Sequence, residues 1–309
     1  MERTAFIFPG QGSQFVGMGK DLIETFPFAG EFFEQAGQTL GYDIASICFE
    51  GPEDQLKQTR FTQPALYTHS VIISELLSQR GIQAQAVAGH SLGELTAWKY
   101  AGVYDFITGL KLVQKRGELM QNAGDHNRGA MAAIIGLDAE TVNRLCNEAQ
   151  SEGIVQPANF NSPSQIVITG SIEAVHKAME LAKTAGAKRV VKLPVSGAFH
   201  SPLMDSVANF FQDAVSRIQF QIPSVPVYAN VTAKPYTSSE EISRLLCDQL
   251  THSVRWIEII ENMIRDGISR FIEVGAGKVL TGLIRRINRE VDIISVGTAD
   301  DIESIHSAF

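Results

Sequence analysis

The first apolar run of the chain, TAFIF at residues 4–8, empties into the glycine-rich PGQGSQ of residues 9–14, which reads as a strand followed by a loop. A second run, QAQAVAG at 83–89, leads straight into His90 and Ser91, and LGELTAWKYAG at 92–102 then reads as a helix. PVYAN at 226–230 and RFIEVG at 270–275 are further short apolar strands, each ending in a polar or glycine loop. Strands alternating with helices imply an α/β fold with a mostly parallel sheet covered on both faces. The chemistry of such a sheet gathers at the carboxyl ends of its strands, where these loops fall.

Residues 128–195 follow a different pattern. AMAAIIGL (130–137) reads as a strand, and DAETVNRLCNEAQ (138–150) as a helix capped by Asp138. IVQPANF (154–160) and SQIVITG (164–170) are strands separated by an Asn-Ser-Pro turn; SIEAVHKAMELAKTAG (171–186) is a helix and AKRVVKLPV (187–195) a last strand. The order β-α-β-β-α-β is a split βαβ unit. It is expected to be a small domain inserted into a large one made of residues 1–127 and 196–309, with its two ends close together.

Composition narrows the function. With 309 residues, 44% hydrophobic and 19% charged, the chain has the make-up of a globular enzyme. A formal charge of -8 argues against nucleic acid as a partner, since phosphate contacts need concentrated Lys and Arg. Two small basic stretches, KRVVK at 188–192 and RRINR at 285–289, read as solvated surface. Cys48, Cys146 and Cys247 are far apart and lack metal spacing, so free thiols at least half-buried are expected. MERTAFIFPG lacks the basic stretch and apolar run of a signal peptide, and no apolar run is long enough to span a bilayer. A cytoplasmic protein with no membrane association is expected.

Ser91 is the centre of Gly-x-Ser-x-Gly, between a strand and a helix, the context in which that motif forms a nucleophile elbow. The bland alternative is a serine that caps the following helix. At an elbow Gly89 and Gly93 let backbone segments approach closely, and the Leu92 N–H becomes a natural oxyanion donor. Gln11, in the first glycine loop, offers a second main-chain N–H. A serine hydroxyl needs a base. Of seven histidines, His200 lies in a loop returning to the main sheet and is the best placed. His90 reads as packing or hydrogen bonding, His126 and His176 belong to the insert and its edge, and His306 lies in the tail. In VYDFITGLKLVQKRGELMQ (103–121) Arg116 is four residues from both Leu112 and Met120, on the apolar side of a helix. An inward arginine needs an anion, either an internal carboxylate such as Glu94 or one brought by a substrate.

GQGSQ, GHSLGE, QKRGELM, GAFHSPLM, NVTAKP and QLTHSVRW, in this order, resemble the malonyl-CoA:acyl carrier protein transacylases over essentially the whole chain. The resemblance implies a large α/β-hydrolase-like domain with an inserted ferredoxin-like domain. It puts the nucleophile on Ser91, the base on His200 and the carboxylate-gripping arginine on Arg116. It also implies a main-chain carbonyl orienting the histidine at Gln249, oxyanion donors at Gln11 and Leu92, and site-lining positions at Gln63, Met120 and Asn159. Phe199, in GAFH, takes the place where malonyl-using polyketide relatives carry an aromatic, although Gly197 departs from their His or Tyr. The implied partners are malonyl-CoA as substrate and an acyl carrier protein bearing phosphopantetheine, with no metal or redox cofactor and a monomeric enzyme. From the residues alone, a thioesterase or carboxylesterase, a carrier-binding module without catalysis, and transfer of another diacid or of methylmalonyl remain rivals.

Overall fold

The computed structural model describes residues 3–126, 129–195 and 197–305. Their strands form two sheets. The larger uses β1 (Arg3–Phe8), β2 (Ala86–Gly89), β7 (Val227–Tyr228), β8 (Pro235–Tyr236), β9 (Ile268–Val274) and β10 (Asp292–Val296); the smaller uses β3 (Gly129–Ile135), β4 (Val155–Ser162), β5 (Gln165–Ser171) and β6 (Arg189–Lys192).

The large sheet runs β10-β9-β1-β2-β7-β8, parallel throughout except for β8, which turns back antiparallel on β7. Strand alternation sends successive side chains to opposite faces. Phe6 and Phe8 enter a core built by helices Pro27–Leu40, Thr59–Gln79, Leu92–Tyr100 and Asp205–Val215. Ala5 and Ile7 enter a second core under helices Trp256–Arg265 and Val279–Ile287. Both faces are therefore covered, as a parallel sheet requires.

The small sheet is antiparallel in the order β4-β5-β3-β6, which is the split βαβ arrangement. Ala130, Ala132 and Ile134 of β3 pack on helices Ala139–Ala149 and Ile172–Thr184, while Met131 and Ala133 face the main core. Asp138 caps the first of these helices, its Oδ1 accepting from the Thr141 N–H at 2.7 Å. The expected Asn-Ser-Pro turn is shorter than the sequence suggests: β4 continues to Ser162, and the turn is made by Pro163 and Ser164. The expected domain junctions at 127/128 and 195/196 fall on Asn127, Arg128 and Ser196, which lie outside the described residues, as does His306. Near them, a Cβ on Gly129 would stand 2.5 Å from that of Ala198, so the chain enters and leaves the small-sheet region at one place.

Cys48 and Cys146 are buried free thiols and Cys247 is half-buried. Among the described residues no helix is long and apolar enough to cross a membrane.

Candidate active site

At the end of β2 the chain turns sharply into helix Leu92–Tyr100, with Ser91 at φ 51° and ψ −108°. The glycines of the motif have a steric reason. A Cβ on Gly89 would come within 1.9 Å of the Gly93 carbonyl carbon, and one on Gly93 within 2.0 Å of the Phe8 oxygen. Asn230, just after β7, holds the turn in place: its Oδ1 accepts from the Ser91 N–H at 2.8 Å and its Nδ2 donates to the Gly89 oxygen at 2.7 Å.

His200 reaches Ser91 from the loop after the small sheet, with Nε2 2.9 Å from Ser91 Oγ. Its Nδ1 lies 2.7 Å from the Gln249 main-chain oxygen. A carbonyl only accepts, so Nδ1 carries the proton and Nε2 is left free to accept from the serine. Burial, with the Arg116 charge nearby, lowers the His200 pKa to about 3. The free base is therefore neutral.

Arg116, on helix Phe106–His126, is fully buried. Its Nη2 donates to Ser91 Oγ at 3.1 Å and to Gln249 Oε1 at 2.8 Å, and its Nη1 donates to Gln63 Oε1 at 2.8 Å. Its Nε has no partner, and no ion pair among the described residues includes Arg116. The internal pair with Glu94 that the sequence allows is thus not direct. Gln249 stands between them, donating from Nε2 to Glu94 Oε2 at 2.6 Å and to the Ser91 oxygen at 2.9 Å. Glu94 also accepts from the Asn230 N–H at 3.1 Å and from Trp98 Nε1 at 3.3 Å. Burial raises the Glu94 pKa to about 7 and lowers that of Arg116 to about 10. Arg116 remains a cation at neutral pH.

A cavity of about 110 Å³ opens onto these groups, lined by Gln11, Gln63, Ser91, Leu92, Arg116, Met120, Asn159, Phe199 and His200. Of the residues singled out in the sequence, only Gln249 lies behind this wall. Gln63 Nε2 contacts Met120 Sδ at 3.3 Å, and the Leu92 N–H, first in its helix, has no acceptor within it. His90, Met131, Leu193 and Val195 complete the lining and were not expected there. His90 Nε2 donates to Asn161 Oδ1 at 2.8 Å, and its ring meets Trp256 edge-on. Gly197 has a local reason too: a Cβ there would lie 2.4 Å from the Phe199 ring. A separate cavity of about 670 Å³, between residues 102–112 and 214–221, is lined by none of these groups.

Comparison with known proteins gives the same class. The acyl transferase domain family matches residues 5–306. Malonyl CoA-acyl carrier protein transacylase of Bacillus subtilis (strain 168) is 43% identical over 304 residues, covering 98% of this chain and 96% of that one. Its Escherichia coli (strain K12) counterpart is 43% identical over 309 residues, covering 100% and 99%. Among solved structures, a malonyl-transacylase in complex with its holo type II PKS acyl-carrier protein superposes with a TM-score of 0.96 at 41% identity, covering 99% of this chain and 100% of that one. An acyl carrier protein S-malonyltransferase from Vibrio cholerae superposes at 0.95 with 42% identity, covering 98% and 99%. The chain belongs to the acyl transferase family. Its Bacillus subtilis and Escherichia coli relatives within that family are malonyl CoA-acyl carrier protein transacylases.

Gly93→Ala forces a side chain onto the β1 backbone and should cost at least about 1–3 kcal/mol, read as a lowered denaturation midpoint; an unchanged midpoint would mean that the elbow has room. Folded Glu94 keeps its proton to about pH 7, against 4.5 for a glutamate free in water. The folded chain then binds more protons across that window, so this contribution to stability is present below pH 4.5 and lost as pH rises through 7. Glu94→Gln should flatten that fall in denaturant unfolding measured at pH 5 and pH 7.5, and an unaltered slope would refute the assignment.

Proposed function

We propose that the chain moves the malonyl group from malonyl-CoA to the phosphopantetheine thiol of an acyl carrier protein through a malonyl-Ser91 ester. The observation that carries this is a buried cation with no carboxylate partner among the described residues, 3.1 Å from the candidate nucleophile. A malonyl group attacked at its thioester carbonyl brings a carboxylate one methylene away, where Arg116 can exchange its serine contact for that anion.

Ser91 Oγ attacks the thioester carbon while its proton passes to His200 Nε2. The N–H groups of Leu92 and Gln11 stabilise the oxyanion. The C–S bond breaks, and the CoA sulfur leaves with the proton from His200. In the second half the carrier thiol gives its proton to His200, its sulfur attacks the ester carbon, and Ser91 Oγ leaves with that proton. Gln63 and Gln249 hold the guanidinium, and Gln249 orients the base. Met120, Asn159 and Phe199 shape the acyl site, with Phe199 excluding a branched α-carbon by about 1–3 kcal/mol.

The relative solved with its acyl-carrier protein supports a carrier protein as acceptor. The reading includes a monomeric cytoplasmic enzyme with residues 128–195 as an inserted domain, supported by the separate core under the small sheet.

Intact-protein mass after brief exposure to malonyl-CoA tests the reaction. A malonyl adduct should form, persist in buffer and transfer to added holo-carrier; Ser91→Ala should form none. An adduct lost to water without malonyl-carrier would make the chain a hydrolase. Arg116→Ala should lower kcat/KM for malonyl by about 100-fold or more, the scale of a lost charge-assisted contact, and leave the slow transfer of acetyl little changed. Equal losses for both acyl groups would make Arg116 structural.

A further inference from the structure

His200 is one of three non-glycine residues at positive φ among the described residues, at 60°, and it is buried. A β-carbon in the left-handed region is strained, so the surrounding contacts must hold the peptide there. The His200 N–H donates to the Leu250 oxygen at 3.1 Å and the ring to the Gln249 oxygen, both from one segment of the large domain. The His200 carbonyl is held from elsewhere: Gln156 Nε2, on β4 of the small sheet, donates to it at 2.9 Å.

The strand is shaped for this. In a regular strand residues 156 and 159 face opposite ways. The β4–β5 register shifts between Pro157 and Asn159, an irregularity that resets the alternation. Gln156, Asn159 and Asn161 then all serve the site: Gln156 at the His200 carbonyl, Asn159 on the cavity wall, Asn161 at His90. The strand is also tied to the segment that carries Gln249. Val254 N donates to the Ala158 oxygen at 2.8 Å, Phe160 N to the Val254 oxygen at 3.0 Å, and Ser253 Oγ to the Pro157 oxygen at 2.6 Å.

We propose that Gln156 is a positioning residue for acyl transfer, fixing the His200 peptide from the small sheet so that Nε2 is aimed at Ser91. This rests on the reading of His200 as the base. Gln156 touches neither substrate nor Ser91. Removing its donor frees the strained peptide to relax and swings the ring off the serine.

Gln156→Leu keeps the bulk and deletes the donor, and Gln156→Glu keeps the shape but sets an acceptor against a carbonyl. Both should lower kcat by about 10- to 100-fold, the scale of a small misplacement of a catalytic group. KM for malonyl-CoA should stay within about two-fold, since Arg116 is untouched. In protein labelled with 15N-histidine, the His200 Nδ1–H signal should shift or broaden in both variants. Wild-type kcat in either folded variant overturns the proposal, as does a lowered kcat with an unchanged His200 signal. If Leu fails to fold, Glu carries the test. His200→Ala is run in parallel: wild-type kcat there removes the base reading, and the proposal with it, whatever Gln156 does.

Discussion

Gln249 must satisfy four neighbours that differ in charge and direction. Its main-chain oxygen takes the Nδ1 proton of His200, its side-chain oxygen accepts from Arg116, and its amide nitrogen donates to Glu94 and to the Ser91 carbonyl. An amide of this length supplies an acceptor at one corner and a donor at the other. A glutamate would answer Arg116 but offer Glu94 no donor, and a leucine would leave both buried polar groups short of a partner. The positions of nucleophile, base and cation therefore depend on one side chain and its own peptide.

That arrangement separates two buried ionisable groups without abandoning either. A direct Arg116–Glu94 ion pair would offset the charge of the guanidinium and weaken its pull on an incoming carboxylate. With the amide between them, Glu94 still moderates the charge at one remove, while the Arg116 contacts are all neutral acceptors that an anion can outbid. Glu94 in turn is held by the Asn230 N–H, and Asn230 holds both sides of the Ser91 turn. The electrostatics of the acyl site and the geometry of the elbow are thus one hydrogen-bonded network.

Local signals in the sequence reach part of this. The strand-Ser-helix context of Ser91, the inward register of Arg116 and the β-α-β-β-α-β order all follow from spacing within a few dozen residues, and the structure brings nine of the ten singled-out residues to one cavity. Gln249 was singled out for its carbonyl alone, and its side-chain role was not legible. Gln156, Asn161 and Asn230 were missed for the same reason. Their partners lie 44, 71 and 139 residues away, and an amide in a strand or turn looks like any other polar position. The β4 irregularity also hides from a period-two reading, which puts Gln156 and Asn159 on opposite faces. β10 was missed because five residues beside charged neighbours show little alternation until β9 pairs with them.

The small sheet is more than a cover. Met131 of β3, with Leu193 and Val195 just beyond β6, forms one wall of the cavity, while Arg116 and Ser91 on the large domain form the other. Met131 and Ala133 belong to the main core, so the wall is fixed by packing on both sides of β3, and β4 is hydrogen-bonded to the segment after Gln249. A sheet held in this way sets the width of the acyl site through side-chain volume. In the proposed reaction, selectivity would then lie in Phe199, whose ring position depends on the bare backbone of Gly197, and in the distance from Arg116 to Ser91. Both are properties of a preformed site, and both favour a short acyl group carrying its own anion.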